Sequence, residues 1–403
     1  MNGLFDILHG VGDGYSEAHP RKDRQIHEVV TDEGRLLVFH TQAFLDPGVG
    51  LPFVAYAQGH LFYHRDGTLM AQPFDEKAGR LTGDAAPMIE NIDINAGNGR
   101  AAFSVAANGT LAYRASGSSG TQTLTWFDRQ GKRVGTVGEP GTYFGNPQVS
   151  RDGRWLAVGR GDAGKYDIWT IDLKRNVPTR LTSDPADDTA PVWSADGTHV
   201  IFRSNRKAGI FDVYQRAAGG GGADELLFES PENKWPDASD GKSLLFSRAM
   251  GRQHGWDLLA LPLTGDRKPF PVIATEFSEV NSAFSPDGRW IAYQSNESGS
   301  AQAYLQPFPT TGARVRVSTT TGTLPQWSAD GKQIFYRTSD NHIMVVDMTS
   351  PLRPGVPKEL FTQTGAWTID PSGQRFLFAT SAEAGVAAPI TVVLNFVAGM
   401  GKK

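Results

Sequence analysis

Short apolar stretches alternating with polar positions follow one another along most of this chain, and each pair of stretches flanks a tight turn. Before the turns come Asn146-Pro147-Gln148-Val149-Ser150, Ala190-Pro191-Val192-Trp193-Ser194, Ser282-Ala283-Phe284-Ser285 and Leu324-Pro325-Gln326-Trp327-Ser328. After them come Trp155-Leu156-Ala157-Val158, Val200-Ile201-Phe202, Leu244-Leu245-Phe246, Trp290-Ile291-Ala292-Tyr293 and Gln333-Ile334-Phe335-Tyr336. The turns themselves are Asp66-Gly67, Asp152-Gly153, Asp196-Gly197, Asp240-Gly241, Asp287-Gly288 and Asp330-Gly331, with Asn108-Gly109 and Ser372-Gly373 as variants. Apolar runs around Asp-Gly predict β-hairpins, because Gly supplies the positive φ and Asp tolerates it. The aspartates are expected to be structural, each carboxylate accepting the N–H two residues on and stabilising its turn by about 0.5–1.5 kcal/mol.

The turns recur at intervals of 42, 44, 44, 44, 47, 43 and 42 residues. A third strand is predicted after several hairpins, at Asp167-Ile168-Trp169-Thr170-Ile171, Asp212-Val213-Tyr214 and Asp257-Leu258-Leu259-Ala260-Leu261. A more polar fourth follows, such as Thr179-Arg180-Leu181-Thr182 or Arg314-Val315-Arg316-Val317. Four short antiparallel strands per unit of this length define a propeller blade, and no blade buries both faces alone. The expected fold is therefore all-β, a β-propeller of four-stranded antiparallel blades, with eight blades expected and seven as the alternative. One propeller domain is expected over 31–396, with blades from about residue 52, a tail or cap at 1–30 and a tail at 397–403. The last unit, Arg375–Phe378 and Ile390–Leu394, needs a closing strand to cover its edge. Arg35–Phe39 is the candidate.

The repeated Ser-x-Asp-Gly, apolar strand, then Asp-Ile-Trp or Asp-Val-Tyr resembles the TolB-type WD-like propeller repeat, most clearly from Phe284 to Gly299. A narrower resemblance rests on Asp66–Asp75, Leu124–Arg129 and Pro389–Phe396. These stretches look like the C-terminal half of bacterial proteins in which a serine/threonine kinase domain and a membrane helix precede a TolB-like propeller. The resemblance covers roughly residues 50–396. It implies a sensor or interaction half, and a periplasmic setting for it. The kinase half is missing: His64-Arg65-Asp66 spells the catalytic-loop triplet, but Ala71 stands where the magnesium-binding Asn belongs. Gly14-Tyr15-Ser16-Glu17-Ala18 and Ser204-Asn205-Arg206-Lys207 match nucleophile motifs by letter only.

Composition removes several other classes. The 403 residues contain no cysteine, so disulfides, thiolate catalysis and Cys-bound metals are out. A formal net charge of −4 gives no basic field for nucleic acid. No apolar run of membrane-spanning length occurs, and no signal peptide is visible near Met1, which makes the cytoplasm the default expectation. None of the nine histidines stands in His-Glu-x-x-His order, so no metal and no cofactor are expected. A propeller enzyme of lactonase or lyase type, with a metal assembled from separate blades at the channel mouth, is the alternative.

Trp193, Trp235, Phe284 and Trp327 precede the turns and are expected mostly to pack between blades. Tyr143, Asn146, Asp188, Asn233, Lys234, Glu279, Asn281 and Thr323 begin their units, and so are expected to ring one channel opening. That ring is the candidate surface for a protein, peptide or cell-envelope ligand, in a non-catalytic module expected to be a monomer.

Overall fold

The computed structural model describes residues 26–30, 36–40, 54–381 apart from 66–67, 91, 93, 96–99, 115–120, 163–164, 208, 250–254, 310–311 and 351–352, and then 390–394 and 396. The turn at Asp66, and the tails at 1–25 and 397–403, lie outside these residues. The chain divides into two compact units, residues 116–389 and residues 1–115 with 390–403. A single propeller over 31–396 was the expectation.

Within 116–389 the strands form six four-stranded antiparallel sheets. Five are sequential. Blade 1 consists of residues 142–149 with Trp155–Asp162, Lys165–Asp172 and Val177–Arg180. Blade 2 runs Asp188–Trp193, His199–Lys207, Ile210–Ala217 and Glu225–Phe228. Blade 3 is Lys234–Ser239, Ser243–Ala249, Trp256–Pro262 and Phe270–Ile273, and blade 4 is Glu279–Phe284, Trp290–Ser295, Gln302–Pro307 and Val315–Arg316. Blade 5 is Thr323–Trp327, Gln333–Arg337, His342–Ser350 and Lys358–Thr362.

Blade 6 is composite. Its inner strands, Trp367–Ile369 and Arg375–Ser381, come from the end of this unit, and its outer strands, Gln122–Asp128 and residues 133–141, from the beginning. The 17-residue strand Arg133–Val149 thus ends one blade and opens the next. Six buried apolar clusters occupy the six junctions between successive blades. The one holding Leu124, Trp126, Leu156, Val158 and Leu377 lies between blade 6 and blade 1, so the ring closes.

Six such sheets are described within 116–389, where eight blades were expected over 31–396. The expected closing pair, Arg35–Phe39 beside Ile390–Leu394, is not the pairing described: Leu36–His40 pairs with Ile26–Val30, and Thr391–Val393 pairs with Leu111–Tyr113. These strands belong to the other unit. There Ile26–Val30 runs parallel to Val54–Ala57, which continues antiparallel through His60–Arg65 and Thr68–Asp75 to Ala86–Ile89. Phe103–Val105, Leu111–Tyr113 and Thr391–Val393 make a separate three-stranded sheet.

The hairpin turns use one device repeatedly. Ser150 Oγ donates to Asp152 (2.5 Å) while accepting from Trp155 N (2.9 Å), and Asp152 accepts from Arg154 N (3.0 Å). Asp196, Asp287 and Asp330 repeat it, with Gly197, Gly288 and Gly331 at φ near 70° as the turn requires. These donors favour the ionised form, and they hold Asp196 down to about 2. Asp240 differs: its turn is shorter, with Asp240 N donating to Ser243 O (3.2 Å) and Asp240 Oδ1 accepting from the N–H of both Lys242 and Ser243. Blade 6 uses Asp370, whose Oδ1 accepts from Ser372 Oγ (2.8 Å).

Candidate functional site

The inner strands of the six blades surround a channel. Each of the inner strands in blades 2 to 5 carries a β-bulge, between Thr189 and Val192, Pro236 and Ala238, Val280 and Ala283, and Thr323 and Gln326. Ala190, Asn281 and Leu324 adopt positive φ of 51°, 56° and 52° there. The bulges turn side chains out of the blade junctions. A cavity of about 240 Å³ results, lined by Asn146, Gln148, Trp235, Asp237, Asn281 and Gln326 among others. Gln326 joins blade 5 to blade 6, its Oε1 accepting from Thr368 Oγ1 and Ile369 N, both at 3.1 Å. Asn146 joins blade 6 to blade 1 by accepting from Trp367 N (3.4 Å).

The eight residues expected at the mouth separate into two groups. Asn146 and Asn281 line the cavity. Asp188, Lys234 and Glu279 are fully buried in the blades. Asp188 accepts from Arg206 (2.9 Å), which also binds Asp224 (2.8 Å), and Asp224 holds Arg216 (3.1 Å). Lys234 donates to the Asp212 carboxylate and to Ser230 O, beside the Phe228 ring. Glu279 accepts from Thr275 Oγ1 (2.8 Å) and Ser295 Oγ (3.1 Å), and burial pushes its pKa up.

The remaining three are also engaged. Tyr143 donates its hydroxyl to Glu139 O, and Thr323 donates to Arg337 O (2.9 Å). Asn233, exposed, accepts from Phe211 N (2.9 Å). The first residues of the inner strands are therefore tied up within and between the blades, and the cavity wall is built one to three residues further on. Of the four aromatics, Trp193, Phe284 and Trp327 pack in the inter-blade clusters, and Trp235, with Trp193, lines the cavity.

Trp235 is held by an unusual neighbour. The Arg203 guanidinium lies 3.7 Å from the centre of one of its rings and 4.2 Å from that of Phe211, with Nε donating to Thr189 Oγ1 (2.9 Å). Arg203 is 4% exposed and makes no ion pair among the described residues. Burial pulls its pKa down to about 9, so it remains a cation at neutral pH. Cation–π contact offsets part of that desolvation. The indole is thereby fixed in the cavity wall.

Sequence reasoning missed Asp237. It occupies the bulge of blade 3, lines the cavity and accepts from Ser247 Oγ (2.7 Å) and Ser282 Oγ (3.0 Å). Part of its surface faces the cavity, yet protein encloses it closely enough to push its pKa up to about 7. The equivalent bulge positions hold Pro191, Ser282 and Pro325. A carboxylate among prolines and serine was the available signal. Among the described residues, no three His, Asp or Glu side chains converge as metal ligands would.

At the turn side of the channel a second cavity, of about 340 Å³, is lined by Arg151, Asp240, Lys242, Asp287 and Pro371 among others. Arg151 Nη2 donates to Pro286 O (3.1 Å), linking the turns of blades 1 and 4, which stand opposite in a ring of six.

Closed four-stranded sheets around a polar channel define a β-propeller. More particularly, it is TolB-like: residues 104–261 match the family model described as TolB beta propeller domain. The Tol-Pal system protein TolB of Helicobacter pylori strain 26695 is 28% identical over 147 residues, which is 36% of this chain and 35% of that protein. Its counterpart in strain J99 is 27% identical over the same length, again 36% of this chain and 35% of that protein. This chain therefore spans about a third of the length of the curated relatives it matches. A solved structure of a TolB candidate from Agrobacterium tumefaciens aligns over 66% of this chain and 100% of its own, with a TM-score of 0.55 and 18% identity. That likeness concerns the fold alone.

Proposed function

We propose that residues 116–389 form a non-catalytic binding module that takes a segment of a protein or peptide ligand into the channel, at the mouth opposite the Asp-Gly turns. The observation that carries this reading is the cavity beside Trp235, where a fixed indole stands among the amides of Asn146, Gln148 and Asn281. An aromatic anchor among amides that can pair with peptide groups suits a chain segment better than a reacting centre. The name of the Helicobacter relatives places those proteins in a Tol-Pal system, and a protein ligand is the corresponding expectation here. The resemblance to the propeller half of kinase fusions supports the same role, a ligand-sensing half.

The test is selection from a random dodecapeptide library on the purified protein, followed by calorimetry. Selected peptides should bind the wild type and lose at least tenfold in affinity to Trp235→Ala, an anchor truncation costing about 2 kcal/mol. Selection of no peptide, or affinities indifferent to Trp235→Ala and Asn281→Ala alike, would overturn the reading.

A further inference from the structure

Asp237 is a carboxylate at a position where the other bulges hold neutral residues. In the bulge where it stands, blades 2 and 5 carry proline and blade 4 carries serine. Enclosing a carboxylate without a counter-cation is costly, whereas a neutral side chain would fill the same place at no such cost. Asp237 has no ion pair among the described residues, and its partners are the hydroxyls of Ser247 and Ser282 and the Ser282 N–H, none of them a cation. The other charged side chain on this cavity wall is Arg151, whose guanidinium is bonded to Pro286 O across the ring. No further Lys, Arg, His, Asp or Glu lines the cavity.

The surroundings suit a cation. Asn281 donates its Nδ2 to Gln294 Oε1 (3.0 Å), which leaves Oδ1 as an acceptor. Trp235, two residues before Asp237, lines the same cavity, and aromatic rings attract alkylammonium groups. We propose that Asp237 receives a basic side chain of the ligand, a lysine ammonium or arginine guanidinium inserted into the cavity beside Trp235. This rests on the reading of the channel as the ligand site. The cation supplies the missing countercharge and favours the ionised carboxylate. Affinity should therefore rise as pH passes upward through about 7 and level off above it, with a proton released on binding below that value.

The experiment uses the whole chain and n-butylammonium chloride as the probe, read by thermal melting. Sodium chloride at the same ionic strength and n-butanol serve as controls. At pH 8 the ammonium salt should raise the wild-type midpoint by about 2 °C or more over sodium chloride, and clearly less at pH 6. Asp237→Asn, and Asp237→Ser with the residue that blade 4 carries, should each lose most of that rise. Guanidinium salts denature and are avoided, so arginine is tested as the N-acetyl amide. Equal rises in wild type and both variants, an equal effect of n-butanol, or no rise in the wild type would each overturn the proposal. Peptide binding that depends on Trp235 but not on Asp237 would overturn this inference and leave the channel reading standing. Indifference to Trp235 would sink the reading beneath it.

Discussion

At the scale of single residues, burial raises the pKa of both Asp188 and Asp237, and what separates the two is a counter-ion. Asp188 and Lys234 are buried with partners of opposite charge, Arg206 and Asp212. Asp237 has no cationic partner; its donors are the hydroxyls of Ser247 and Ser282 and the Ser282 N–H, and enclosure outweighs them, so its pKa is pushed up to about 7. Its value in the unfolded chain is about 4. Between those values the folded protein keeps a proton that the unfolded chain has lost, so this group lowers stability as pH rises from about 4 to 7. Its favourable contribution is complete below the unfolded value and lost above the folded one. Asp237→Asn removes that dependence. The variant should match or slightly trail the wild type near pH 4 and exceed it at pH 8 by roughly 2 kcal/mol. Urea melts at both pH values measure the difference, and parallel curves for the two proteins would show that Asp237 does not titrate in this range.

At the scale of elements, the decisive pairing is between Gln122–Asp128 and Arg375–Ser381, which closes the ring. Thr125 lies in the middle of that strand, paired with Phe378 on one side and Thr136 on the other. A proline there removes a ladder hydrogen bond and cannot be accommodated in a central strand. Thr125→Pro should lower stability by about 3 kcal/mol or more, whereas Thr179→Pro, on the outer strand of blade 1, should cost less. Thermal melts of the two variants give the comparison, and equal losses would mean that closure does not run through this strand. The hairpins were legible in sequence because Ser-x-Asp-Gly encodes its own local hydrogen bonds, as Ser150, Asp152 and Trp155 show. The third strands opening at Asp167, Asp212 and Asp257 were legible by their alternation. The blade count was not, because the period counts turns, whereas blade membership depends on remote pairing. Residues 133–149 form one strand whose halves serve two blades. Asp237 stayed hidden for a related reason: bulge and shortened turn shift its register relative to the other units, so spacing from Asp240 does not show which residues it faces.

At the scale of the propeller as a whole, its channel has two unlike ends. On the turn side Arg151, which also borders the cavity that holds Trp235, reaches from blade 1 to Pro286 of blade 4, and Asp240, Lys242 and Asp287 stand around it. Toward the other end Trp235 lies braced by Arg203, with Asn146 and Asn281 sharing its cavity. A side chain that bridges opposite blades narrows its end, while the end beside Trp235 has an aromatic surface that burial of a ligand can use. A ligand entering beside Trp235 gains nothing from removing the bridge. Arg151→Ala gives up one hydrogen bond to a carbonyl, which costs the fold about 1 kcal/mol at most. Peptides selected on the wild type should then bind Arg151→Ala within about threefold, while Trp235→Ala weakens them tenfold or more. Calorimetry of one such peptide against both variants decides the matter. A loss on Arg151→Ala as large as that on Trp235→Ala would place entry at the turn side, where a carboxylate of the ligand would meet Arg151 first.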